Sequence, residues 1–112
     1  MKPINTITIV FYTTDAGKQP FVEWQKELDT NVEAVVLTRL ARVRGGNFGA
    51  CKPITDGEGV HELIIDYGPG IRIYYGKKGT KIIVLLVRGD KGSQNRDITK
   101  AKRYWLNEKE RT

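Results

Sequence analysis

At 112 residues the chain can build one hydrophobic core and not two, so residues 1–112 read as a single domain. Nineteen Lys and Arg against thirteen Asp and Glu give a net charge of +6, and a lone cysteine, Cys51, excludes an internal disulfide and points to a reducing compartment. No run approaches the ~18 apolar residues of a membrane span and the first residues have no apolar signal core, so a soluble, cytoplasmic protein with no membrane partner is expected.

The charge is unevenly placed. Residues 1–38 carry three basic and five acidic side chains, whereas residues 39–112 carry sixteen and eight. The later part of the chain is therefore suited to a polyanionic or acidic partner.

In chain order, Ile7, Ile9 and Phe11 alternate with Thr8, Val10 and Tyr12, which predicts a short strand that Asp15-Ala16-Gly17 breaks. Pro20 opens a helix with Phe21, Trp24 and Leu28 on one face. Thr30 or Asn31 is the expected cap of a second helix, with Val32, Val35, Val36, Leu40 and Val43 inward and Arg39, Arg42 and Arg44 on its later turns. Gly45-Gly46 ends it. Residues 45–59 hold five glycines and a proline and are expected to be a loop anchored by Phe48 and Ile54.

From Glu58 to Arg88 three β-rich runs separated by glycine-containing turns predict an antiparallel meander. Leu63 and Ile65 share a face with His61, and Glu62, Ile64 and Asp66 share the other. Ile71, Ile73 and Tyr75 alternate with Arg72 and Tyr74. Ile82 to Val87 is apolar throughout, as a strand covered on both faces would be. Pro69-Gly70 suits the central positions of a type II turn, and Lys78-Gly79 closes the second hairpin. Ser93 is a plausible cap for a last helix with Ile98, Ala101 and Trp105 on one face and Arg96, Lys100, Lys102, Arg103 and Lys109 on the others. The expected fold class is α+β, in the order β-α-α-β-β-β-α, with helices packed on a mostly antiparallel four-stranded sheet.

Several chemistries lack their residues. One His and one Cys cannot supply a structural zinc cluster, and there is no Walker-type Gly-Lys-Ser/Thr. Cys51 has no triad signature and reads as a buried or incidental thiol. His61 at a strand start reads first as a structural histidine, and Glu58 with Glu62 as solvated hairpin charges. The cations remain. Arg72 interrupts an apolar strand, Arg88 ends the most apolar one, and Lys91 follows in the next loop. A charge within a sheet is costly unless it is paired or faces a wet cleft. Arg72 can pair with Asp66 or Glu62. Alternatively, it can line a cationic cleft between the sheet and two basic segments, Arg39, Arg42 and Arg44, and Lys100, Lys102 and Arg103. With Tyr67, Tyr74 and Tyr75, such a cleft suits single-stranded RNA.

Two stretches carry a resemblance. Gly59 to Gly76 (Gly-Val-His-Glu-Leu-Ile-Ile-Asp-Tyr-Gly-Pro-Gly-Ile-Arg-Ile-Tyr-Tyr-Gly) and Gly89 to Trp105 (Gly-Asp-Lys-Gly-Ser-Gln-Asn-Arg-Asp-Ile-Thr-Lys-Ala-Lys-Arg-Tyr-Trp) resemble toxins of the RelE/ParE superfamily. The closest branch is the HigB-like addiction module killer proteins. The resemblance covers nearly the whole chain and implies a RelE-like fold and the toxin of a type II toxin–antitoxin pair. It implies as partners a cognate antitoxin of helix-turn-helix type, the ribosome and mRNA. It further implies an mRNA interferase, an endoribonuclease that arrests translation and needs no metal or other cofactor, because the RNA's own 2′-hydroxyl is the nucleophile.

Arg72 matches the family's strand arginine and Lys91 its basic residue after the last strand. These two, and Arg88 with them, are implied as the stabilisers of developing charge; His61 and Asp90 are the candidates for general base. Where RelE carries two lysines on the preceding strand, this chain has Glu62 and Ile64, and no tyrosine stands near Asp97. Two alternatives stay open: a ParE-like inhibitor that binds DNA gyrase without cutting anything, and a decayed toxin that retains only antitoxin binding.

Overall fold

Alternation in the central runs decides the architecture. The computed structural model describes residues 6–111. Its strands are β1 (Thr8–Phe11), β2 (Cys51–Pro53), β3 (Val60–Ile65), β4 (Ile71–Lys78) and β5 (Ile82–Asp90); its helices are α1 (Pro20–Lys26), α2 (Thr30–Arg44) and α3 (Gln94–Arg111). The strands form one mixed sheet in the order β1-β5-β4-β3-β2. β1 runs parallel to β5, and the other neighbours are antiparallel.

The fold is α+β as expected, but the sheet has five strands rather than four. The added strand, β2, lies in the segment expected to be loop and pairs Cys51, Lys52 and Pro53 with Leu63, Glu62 and His61. Pro53 is tolerated because β2 is an edge strand.

Each face of the sheet has its own core. Leu63, Ile65, Ile71, Ile73, Tyr75, Ile83 and Leu85 pack against Phe21 of α1 and Val36, Leu40 and Val43 of α2. On the opposite face Val60, Tyr74, Val84, Leu86 and Val87 pack against Ala101 and Trp105 of α3. Trp105 lies so close to the sheet that a Cβ at Gly76 would sit 2.5 Å from its ring. β5 is buried on both faces, as its apolar run requires.

One irregularity matters for the site. Tyr74 pairs with Val87 and Tyr75 with Leu85, so Leu86 is the extra residue of a β-bulge. Leu86 and Val87 both pack on the α3 side. The bulge therefore shifts the phase of β5, and Arg88 emerges on the α1 side, over the Trp24 ring.

The caps and turns differ in detail from expectation. Asp29 caps α2, its Oδ1 accepting from Val32 N at 2.9 Å, in place of Thr30 or Asn31. In the β3–β4 turn Gly70 N donates to Tyr67 O, so the central pair is Gly68-Pro69 rather than Pro69-Gly70. Gly68 and Gly70, with φ of +57° and +85°, take backbone conformations that a side chain disfavours. Before α3, Asp90 caps a single 3₁₀ turn, Lys91–Ser93, and Ser93 answers it in a reciprocal capping box. Among the described residues no helix is long and apolar enough to cross a membrane.

Candidate functional site

The strongest polar cluster lies on the α3 face, where β3, β4 and the start of α3 meet. Glu62 is only 1% exposed. It was expected to be a solvated hairpin charge; instead, its place opposite Tyr74 puts it beneath α3. Gln94 Nε2 donates to Glu62 Oε2 at 3.0 Å, Arg72 Nε lies 3.8 Å from the same oxygen, and Lys52 Nζ lies 4.0 Å from Oε1. Of the two carboxylates the sequence offered to Arg72, the structure selects Glu62; Asp66 is exposed.

The Arg72–Glu62 contact is ionic without being a hydrogen bond, since 3.8 Å is too long for one. Arg72 Nε, Glu62 Oε1 and the Tyr74 hydroxyl are all buried without a hydrogen-bond partner. Burial pushes the Tyr74 phenol far up, and the nearby Glu62 carboxylate adds to it. Arg72 Nη1 makes one long bond, 3.3 Å, to Ile71 O. The side chain is 13% exposed, so its outer donors stay within reach of solvent.

Lys91 joins this cluster through the turn. A Cβ at Gly70 would stand 3.4 Å from Arg72 Nη1 and 3.6 Å from Lys91 Cβ, so the Arg72 guanidinium and the base of the Lys91 side chain flank the same glycine. Lys91 is exposed and opens a concavity of about 370 Å³ that continues over Gly92 to Arg96. The arrangement is a guanidinium at the sheet's end, backed by a buried carboxylate, with an exposed lysine rooted beside it. Such an arrangement can bind and polarise a phosphate.

The structure does not bring the other candidates here. Arg88 points to the opposite face because of the bulge. His61 also faces the α1–α2 side, stacked on Tyr75 with ring centroids 5.4 Å apart and Nδ1 3.2 Å from Gly59 O. Burial pulls its pKa below the ordinary histidine value. Asp90 Oδ1 accepts from Gly92 N and Ser93 N, so this carboxylate is committed to its turn.

Arg39, expected on an RNA-binding face, is a structural residue. Its guanidinium donates to Phe48 O, Ile64 O and Ala50 O at 2.9, 2.8 and 2.6 Å, pinning the segment before β2 to the sheet. Nor do the two basic segments flank one cleft. Arg42 and Arg44 belong to α2, whereas Lys100, Lys102 and Arg103 belong to α3 on the other face, and Lys102 pairs with Glu58 at 3.8 Å. Cys51 is exposed rather than buried. Among the described residues no three His, Cys, Asp or Glu side chains converge as a metal site would need.

Sequence reasoning named Glu62 as a possible partner of Arg72 but missed its burial, and missed Gln94 altogether. Alternation placed Glu62 on the face opposite Leu63, but nothing local signalled that α3 would cover it.

Comparison with known proteins adds one relative. An uncharacterized protein of Haemophilus influenzae is 37% identical over 83 residues, which span 73% of this chain and 82% of the relative. The chain belongs to that protein's family. No family model matches the chain.

Proposed function

We propose that the protein is a RelE/ParE-superfamily toxin of the HigB-like branch, which cuts mRNA on the translating ribosome. The observation that carries this reading is the Arg72 guanidinium beside Gly70, with Glu62 behind it and the root of Lys91 on the same glycine. The order of helices and strands supports it, with β2 as an added edge strand.

In this reading the RNA's 2′-hydroxyl oxygen attacks the adjacent phosphorus while the bond from phosphorus to the 5′-oxygen breaks. A 2′,3′-cyclic phosphate and a 5′-hydroxyl result; the 2′ proton is lost and the leaving oxygen gains one. Arg72 and Lys91 stabilise the negative charge that grows on the phosphoryl oxygens, and Glu62 with Gln94 keeps the guanidinium in place. Its cytoplasmic partners are the ribosome, mRNA and a helix-turn-helix antitoxin encoded beside it.

The test is brief expression without antitoxin, followed by primer-extension mapping of mRNA ends, with a gyrase supercoiling assay on the same purified protein. New mRNA ends are expected, and far fewer per folded molecule with Arg72→Ala, whose folded fraction is measured in the same preparation. Inhibited supercoiling with intact mRNA would replace the nuclease reading by a ParE-like one, and unimpaired growth with folded protein present would remove the toxin reading altogether.

A further inference from the structure

Arg88 is the cation the site above does not use. It is half-buried, 5.1 Å from the Trp24 ring centroid, and makes neither a hydrogen bond nor an ion pair with any described residue. The carboxylates of Asp97, Glu27 and Asp90 favour its charge from beyond hydrogen-bond range, and its donors stay open to a group entering from solvent. Arg88 lines a groove of about 240 Å³ whose other walls are Trp24, Leu28, Val32, Tyr67 and Ile71. Tyr67 is 38% exposed at the rim, an unusual position for a large ring.

The groove adjoins this guanidinium site. Tyr67, Gly68 and Pro69 line it, and the next residue of the same turn, Gly70, is the one flanked by the Arg72 guanidinium and the Lys91 Cβ. Asp90 lines it too, and Lys91 is the next residue. A single strand of RNA crossing this turn can therefore place a phosphate on one side and a base on the other.

We propose that the groove is a nucleobase pocket selective for guanine, with Arg88 donating to O6 and N7 and the aromatic and aliphatic walls holding the ring. The assignment rests on the ribonuclease reading for its polymer and on the groove's own geometry for its base. Guanine offers two adjacent acceptors to the guanidinium fork, whereas adenine offers an amino group there. Stacking on aromatic or guanidinium planes with edge hydrogen bonds is how unpaired RNA bases are bound. A protein side chain with a neighbouring carboxylate has similar chemistry, but the adjoining Arg72 and Lys91 and the net charge of +6 favour a polyanion.

The test titrates guanosine, adenosine, cytidine and uridine 5′-monophosphates into the purified protein while the Trp24 and Trp105 indole N–H signals are followed by NMR. Saturable shifts of Trp24 with the guanine nucleotide alone, Trp105 unmoved, are expected. Arg88→Ala and Tyr67→Ala should each weaken this binding about tenfold, and Arg88→Lys should abolish the preference for guanine while keeping the charge. No shift, or equal shifts with all four nucleotides, overturns the assignment. Dependence of a protein partner's binding on Arg88 without any nucleotide response also overturns it and makes the groove a protein-docking surface.

Mapped mRNA ends separate this proposal from the function it rests on. Guanine binding at Trp24 without mRNA cleavage leaves the pocket standing and removes the nuclease reading. Cleavage with neither guanine binding nor guanine bias does the reverse.

Discussion

Glu62 reaches diagonally across the β3–β4 ladder to Arg72, its Oε2 3.8 Å from Nε, while Gln94 donates to that same oxygen at 3.0 Å. The cluster ties two strands to the first residue of α3. Without Arg72 the buried carboxylate keeps only Gln94 and the exposed Lys52, 4.0 Å away, so Arg72→Ala is expected to cost up to about 3–5 kcal/mol in a denaturant melt. The double variant Arg72→Ala/Glu62→Gln, which removes the stranded charge, should recover a large part of that loss. If the single and double variants melt alike, the pair contributes nothing to the fold.

Arg39 makes a separate prediction about the edge of the sheet. Three carbonyls, on Phe48, Ala50 and Ile64, depend on one guanidinium. Hydrogen bonds to a charged group contribute about 1.5–3 kcal/mol each when counted singly, and they are not additive here because one side chain makes all three. Arg39→Ala should therefore lose about 2–4 kcal/mol. Hydrogen exchange should speed up most at Ile64 and Ile54, whose amides donate to Ala50 O and Val60 O across the β2–β3 edge. Uniformly faster exchange across the whole sheet would show that the effect is global and not confined to this edge.

At Gly89 the side chains of Asp97 and Ser93 occupy the space a Cβ would need; Ser93 Oγ would lie 2.7 Å from it, and Asp97 Oδ2 closer still. Ser93 Oγ donates to Asp97 Oδ2, so neither group can retreat without breaking a buried bond. Gly89→Ala is expected to destabilise by at least the ~1–3 kcal/mol of ordinary overpacking. Gly17→Ala, where nothing lies within 4 Å, controls for crowding in the melt, although its φ of +84° carries a backbone strain of its own.

Acid should release the contact between the β1–α1 loop and the end of α3. Arg111 Nη2 donates to Asp15 Oδ1 at 2.9 Å and Asn107 Nδ2 lies 3.5 Å from it; these two bonds, Arg111's first, hold the carboxyl below its ordinary 3.8. A depressed folded pKa means stability that is present above the unfolded value and lost as pH falls through the folded one. Wild type and Asp15→Asn should thus differ by a small, salt-sensitive amount in melting temperature at neutral pH and converge in acid. A gap that persists below the carboxylate range would rule the ion pair out as its source.

Because α2 and α3 cover opposite faces, charge reversal should separate them. Arg96→Glu with Lys100→Glu, on the first turns of α3, is expected to weaken ribosome association and flatten its salt dependence, whereas Arg42→Glu with Arg44→Glu should leave both nearly unchanged. Equal losses from the two pairs, read by ribosome pelleting, would mean that no face is preferred.

The two-faced core was legible because period-2 alternation in β3 and β4 and the unbroken apolar run of β5 report burial directly. Three things were not. β2 is three exposed residues among glycines, held by backbone pairing and by Arg39, and carries no hydrophobic signal. Glu62 looks like any strand glutamate until α3, more than thirty residues later, folds over it. The bulge at Leu86 turns Arg88 away from Arg72, and a run of Val, Leu and Ile contains nothing to locate an extra residue within it.

The parallel pairing of Thr8 with Ile82 has a consequence for synthesis. A nascent chain exposes β1 well before β5, so the edge that receives it does not exist until Ile82–Asp90 has been made. Such distant pairing is slow to form. The first strand made is the last to find its place, and until then its hydrophobic residues Ile9 and Phe11 are exposed to chaperones and to neighbouring chains.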